Sequence, residues 1–208
     1  MTDFKSIKDV MRDNVFMRNF YACDLSLEDF ILSLSRYLNR ALISDDHLNK
    51  VLTERDIATL RDIIFSKVPE FQRENNKWTE AMQSSFVWNV LKGYKKDPLC
   101  LYNVVAAGKK SDYSNCWLLD GLQRTTALVA FLSNELAVNT EFGSFTLKEL
   151  LDAPEIGKLP ISLNVGIRIF TFNSHQEACR HYIQMNEGIT HSPEDIQKAK
   201  AWLENNPE

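Results

Sequence analysis

The stretch Trp117-Leu118-Leu119-Asp120-Gly121-Leu122-Gln123-Arg124-Thr125-Thr126, continued by Ala127-Leu128-Val129-Ala130-Phe131-Leu132, decides how this chain is read. An apolar run stops at Asp-Gly and an amphipathic run starts at once, which predicts a buried strand, a tight turn and a helix N-terminus. A helix start presents unpaired backbone N–H groups and the positive end of the dipole, so it suits a phosphate. Gly121 lets backbone approach a ligand, Arg124 in the first turn can grip phosphate oxygens, and Asp120 can hold a metal or take a proton. The same residues also fit an ordinary Asp-Gly turn followed by a solvated Arg124, and spacing alone leaves both readings open.

Working outward, strands are expected at 99–105, 116–119 and 161–172, where apolar and β-branched residues gather. Helices are expected from Thr79 to near Gly93, with Met82, Phe86, Val90 and Leu91 on the buried side, and from Leu122 through 131–140. A short one is expected at 146–151, then one at 175–185, and a last one capped by Ser192 with Pro193 in its first turn. Upstream, Ser26-Leu27-Glu28-Asp29 and Thr53-Glu54-Arg55-Asp56 resemble capping boxes, and helical spacing follows each of them. The chain therefore reads as a helical N-terminal extension over 1–64 and a mixed α+β domain over 65–208. Between them, 68–78 reads as an extended entry at Pro69 and a polar loop carrying Gln72 and Arg73.

Composition bounds the function. A length of 208 residues with 44% hydrophobic and 11% aromatic residues supports a packed core. A net charge of −4 argues against coating nucleic acid by bulk electrostatics, although Lys92, Lys95, Lys96, Lys109 and Lys110 cluster mid-chain, as a local basic groove or as a solvated rim. The 4 cysteines lack CxxC spacing and the 4 histidines lack a zinc pattern, so buried thiols in a reducing cytoplasm are expected. No apolar run is long enough to span a membrane and no signal peptide is visible, so a soluble, cytoplasmic protein with no membrane partner is expected.

Three segments in order carry a resemblance: Phe71-Gln72-Arg73 followed by Trp78; Asp120-Gly121-Leu122-Gln123-Arg124-Thr125-Thr126; and Asn186-Glu187-Gly188 before Ser192-Pro193-Glu194-Asp195. Over residues 65–200 the chain resembles the N-terminal domain of GmrSD-type modification-dependent restriction endonucleases, within the ParB/sulfiredoxin-like superfamily. Leu122 departs from that family's usual Asp-Gly-Gln-Gln-Arg. It also stands where sulfiredoxin chemistry needs a cysteine, which excludes a sulfinic-acid reductase. The resemblance implies a small mixed sheet flanked by helices with a nucleotide phosphate at the strand–turn–helix junction. Gln72 and Arg73 would line the pocket, Asp120, Gly121, Gln123 and Arg124 would form its floor, Thr125 and Thr126 would add hydroxyls, and Asn186 would face the same cleft.

The expected cofactors are ATP or GTP with Mg2+ at Asp120, and Asp120, Arg124 and Arg73 are the expected catalytic residues. Phosphoryl transfer needs little beyond positioning and charge neutralisation. The first expectation is thus a kinase for a hydroxymethylated pyrimidine in viral DNA. The second is an NTPase subunit working with a separate nuclease that docks on the N-terminal helices. The third is a nucleotide-sensing or anti-defence binder without turnover.

Overall fold

The computed structural model describes residues 20–26, 61–62, 65–94, 97–106, 116–152, 164–187 and 193–207. In chain order the elements are β1 (Phe20–Ser26), α1 (Glu80–Leu91), β2 (Leu99–Val104), β3 (Trp117–Asp120), α2 (Leu122–Leu132), β4 (Val138–Thr140), β5 (Gly143–Phe145), α3 (Leu147–Asp152), β6 (Asn164–Phe172), α4 (His175–Asn186) and α5 (Pro193–Asn205). The architecture is α+β. A mixed sheet of order β1-β6-β2-β3 has β6 parallel to β2 and antiparallel to β1, while β3 runs antiparallel to β2.

The strands explain the layers. Leu99 and Leu101 of β2, Leu118 of β3 and Val165, Ile167 and Ile169 of β6 face one way, against α1 and α2. Cys100 and Tyr102 of β2, Leu119 of β3, and Phe170 and Phe172 of β6 join the opposite core with α4 and α5. Covered on both faces, β2 has no polar alternation, and a near-continuous apolar run is what such a strand requires. One irregularity matters for function. The β2–β3 register shifts between Cys100 and Leu101, so that Leu118 pairs Leu101 but Asp120 pairs Cys100. An inserted residue of this kind bends a strand end and re-aims its side chains.

Several expectations stand corrected. The segment 20–26 falls inside the stretch read as a helical extension, yet it is a strand, paired along its length to β6. The helix expected after Ser26 lies outside the described residues, and of the one expected after Thr53 only 61–62 are described, where they are helical. α2 ends at Leu132, at the very start of the stretch 131–140 expected to close it, because Asn134 takes a left-handed conformation at φ 57° and the chain turns into the β4–β5 hairpin. Met82, expected on the buried side of α1, is 49% exposed. Thr79 does cap α1, accepting a bond from the Met82 N–H, and Gly93 ends it with φ 72°.

Candidate functional site

The junction between β3 and α2 is built by two requirements that converge on Gly121. Its backbone is left-handed at φ 101°, and a Cβ there would lie 2.7 Å from Leu99 Cδ2 and 3.4 Å from the Arg124 guanidinium. Only glycine meets both without strain. As the α2 N-cap, Gly121 has no side chain to satisfy the first-turn N–H groups, so that end of the helix keeps its capacity for an anion.

Across the sheet, Asp120 pairs with Cys100, which pairs with Arg168 of β6. Three neighbouring strands thereby place a carboxylate, a thiol and a guanidinium in one row. Arg124 closes over it: Nη2 donates to Asp120 Oδ2 at 2.6 Å, and Nη1 donates to the Pro98 carbonyl at 2.9 Å and to the Asp97 carbonyl. Burial first, and then the Asp120 charge, push the Cys100 thiol up to about 11 against the pull of Arg124 and Arg168, so it stays protonated at neutral pH.

The loop 68–79 is fastened to this junction by side-chain amides, those of Gln72 and Gln123 buried and that of Asn75 exposed. Gln72 Nε2 donates to the carbonyls of Leu118 at 2.6 Å and Leu119 at 2.8 Å, both on β3. Gln123 Oε1 accepts from the Trp78 N–H at 3.1 Å. The Asn75 amide donates to the Thr126 hydroxyl at 2.7 Å, and that hydroxyl in turn reaches the Leu122 carbonyl at 2.9 Å. Phe71 anchors the loop from the other face, with ring centroids 5.6 Å from Tyr182 and 5.3 Å from Trp202.

Together these elements wall a cavity of about 870 Å³, lined among others by Arg73, Asp97, Asp120, Gly121, Arg124 and Arg168. That volume suits a nucleotide-sized ligand. Of the residues named from sequence, Arg73, Asp120, Gly121, Gln123, Arg124 and Asn186 meet on the cavity wall. Gln72, Thr125 and Thr126 do not line it. Gln72 spends its amide on β3, Thr126 is tied to Asn75, and Thr125 is buried with its hydroxyl unpartnered.

Asn186 lines the cavity, although its amide nitrogen donates to the Tyr182 carbonyl at 2.7 Å. Sequence reasoning missed Cys100, Arg168, Asp97 and one whole face of α1. Register across the sheet is the only signal that finds the first two. As for Mg2+, no group of three or more His, Cys, Asp or Glu side chains gathers among the described residues. Asp97 and Asp120 are the carboxylates on the wall.

Fold and site define an α+β domain whose strand–turn–helix junction, uncapped by any side chain, opens onto a cavity of about 870 Å³. The chain matches the model of the GmrSD restriction endonuclease N-terminal domain over residues 48–206, and it belongs to that family. The match begins ahead of residue 65, where the motif resemblance starts, so it takes in part of the stretch read as an extension. No curated protein and no solved structure matches the chain. Among the described residues, no helix is long and apolar enough to cross a membrane.

Proposed function

We propose that this chain binds a nucleoside triphosphate with its phosphates against the β3–α2 turn and hydrolyses it as part of a modification-dependent restriction system acting on DNA. One observation carries the reading: the uncapped start of α2 opens onto a cavity whose wall includes Arg73, Arg124 and Arg168. Backbone N–H groups and the helix dipole take the phosphates, while the arginines offset their charge. Arg124 does double duty. It uses three of its roughly five N–H groups on Asp120 and the 97–98 carbonyls, which holds the turn in shape.

Asp120, ion-paired with Arg124, would accept a proton from an attacking water or hydroxyl. Mg2+ in such sites takes one or two carboxylates together with substrate phosphates, which Asp97 and Asp120 fit, and when bound it would neutralise phosphate charge. The family name supports DNA as the wider substrate.

The test is a γ-³²P assay with Mg2+, labelled ATP or GTP, and DNA carrying thymine or 5-hydroxymethylpyrimidine. Free phosphate is the expected product. Label in the hydroxymethylated DNA alone would instead assign a base kinase, and binding without turnover a nucleotide sensor. Arg124→Ala is expected to weaken nucleotide binding by one to two decades, about 1.5–3 kcal/mol, and unchanged affinity would remove the phosphate site. Asp120→Asn is expected to keep most binding and lose turnover.

A further inference from the structure

The cavity has two chemically distinct walls. Every charged residue that lines it comes from the loop 68–79, residue 97, the β3–α2 junction or β6. α1 contributes Ala81, Met82, Ser85, Phe86 and Asn89, which at i, i+4 spacing form a single helix face. Beyond Glu80, α1 carries no charge at all. An outward helix surface ordinarily carries charged residues, and a large apolar side chain left exposed there calls for an occupant.

Met82 is 49% exposed, while Trp78 and Phe86 stand edge to face beside it with centroids 5.4 Å apart. The Asn89 amide takes part in none of the side-chain hydrogen bonds among the described residues, although it is half-buried on the cavity wall.

We infer that this α1 face is the base-binding wall of the nucleotide site: the base packs on Met82 and the Trp78–Phe86 pair, and Asn89 reads its polar edge. The inference rests on the phosphate reading above. Its ground is charge complementarity within one cavity, since a nucleoside triphosphate is polyanionic at one end and a neutral, flat, polar-edged ring at the other. Stacking on apolar and aromatic side chains is tolerant of base identity, whereas a side-chain amide offers one donor and one acceptor in a fixed plane and so discriminates among edges.

The experiment measures equilibrium binding of ATP, GTP, CTP, UTP, inorganic tripolyphosphate and a short single-stranded oligonucleotide to the full chain. It compares the unmodified protein with Ala81→Leu/Ser85→Leu, which fills the wall at exposed positions, and with Asn89→Ala; thermal unfolding checks that each variant folds. The unmodified chain is expected to hold at least one nucleotide about tenfold tighter than tripolyphosphate. The double variant is expected to lose that margin while tripolyphosphate binding stays put, and Asn89→Ala to narrow the spread among the four nucleotides.

Nucleotide binding unchanged in the double variant overturns the base wall and leaves the phosphate site standing. So does tripolyphosphate binding as tight as the best nucleotide. If the double variant loses the oligonucleotide and keeps the nucleotides, the wall takes a base of DNA and the inference falls. Failure of the unmodified chain to bind either tripolyphosphate or nucleotide brings down the phosphate reading, and the base wall with it.

Discussion

The two walls of the cavity are held in opposite ways. The junction wall is built from buried parts: Gln72 and Gln123 are 3% exposed, Gly121 sits in a left-handed conformation, and Arg124 is bound to carbonyls and a carboxylate. The α1 wall is the outward face of a helix secured to the core by Val87, Trp88, Val90 and Leu91, and by Phe86, which reaches both core and cavity. Shape on the junction side is therefore inseparable from folding, whereas the α1 side can change without the fold noticing. The first wall places a fixed chemistry; the second is where specificity can vary at little cost.

The largest expected effect falls on the first wall. Gln72→Leu removes the donor to the Leu118 and Leu119 carbonyls and strands both in a buried place. The expected loss is about 3 kcal/mol of unfolding free energy by chemical denaturation, with nucleotide affinity falling in parallel as the loop detaches. A variant as stable as the parent would show that Phe71 and the Gln123 and Asn75 ties hold the loop without Gln72.

Gly121→Ala follows, at about 2 kcal/mol. Its strain comes from positive φ, and the 2.7 Å approach to Leu99 Cδ2 falls on the movable end of a side chain. Here binding should suffer more than stability, because the turn that presents the α2 N–H groups is the part displaced. Equal losses in both would place Gly121 in the fold and not in the site. On the opposite wall, Ala81→Leu/Ser85→Leu is expected to move the unfolding midpoint by less than about 0.5 kcal/mol, as surface changes do. A larger shift would erase the distinction between the walls.

The contrast also marks what the sequence could disclose. The β3–turn–α2 junction was legible because it is local: Asp-Gly ends an apolar run, and helical periodicity resumes within a residue. Gly121 and Arg124 were likewise read correctly as turn and first-turn residues. The motif resemblance puts Gln72 in the pocket with Arg73, and nothing local reveals that its partners lie 46 and 47 residues on. Cys100 and Arg168 meet only through strand register, with the Asp120 contact set by a register shift that no periodicity encodes. β1 was hidden similarly, since its partner is β6, far along the chain. Met82 falls on the wrong side because α1 carries apolar residues around much of its circumference, so spacing alone singles out no one buried face.

Thr125 and Thr126 give the smallest and sharpest test, being adjacent, alike and oppositely employed. Thr126 accepts a hydrogen bond from the Asn75 amide at 2.7 Å and donates to the Leu122 carbonyl at 2.9 Å, so it is one of the ties between the loop and α2. Thr125 is 2% exposed and its hydroxyl has no partner, which makes it a desolvated polar atom with no compensation. Valine matches threonine in shape and in β-branching, so each substitution isolates the hydroxyl. Thr126→Val is expected to cost about 0.5–1 kcal/mol and to loosen the loop, with a modest loss of nucleotide affinity. Thr125→Val is expected to be neutral or stabilising by up to about 1 kcal/mol with affinity unchanged, because burying a methyl costs less than burying an unsatisfied hydroxyl. Denaturation midpoints of the pair decide it: a destabilising Thr125→Val would mean that this hydroxyl serves the site after all, as the resemblance of the motif implied.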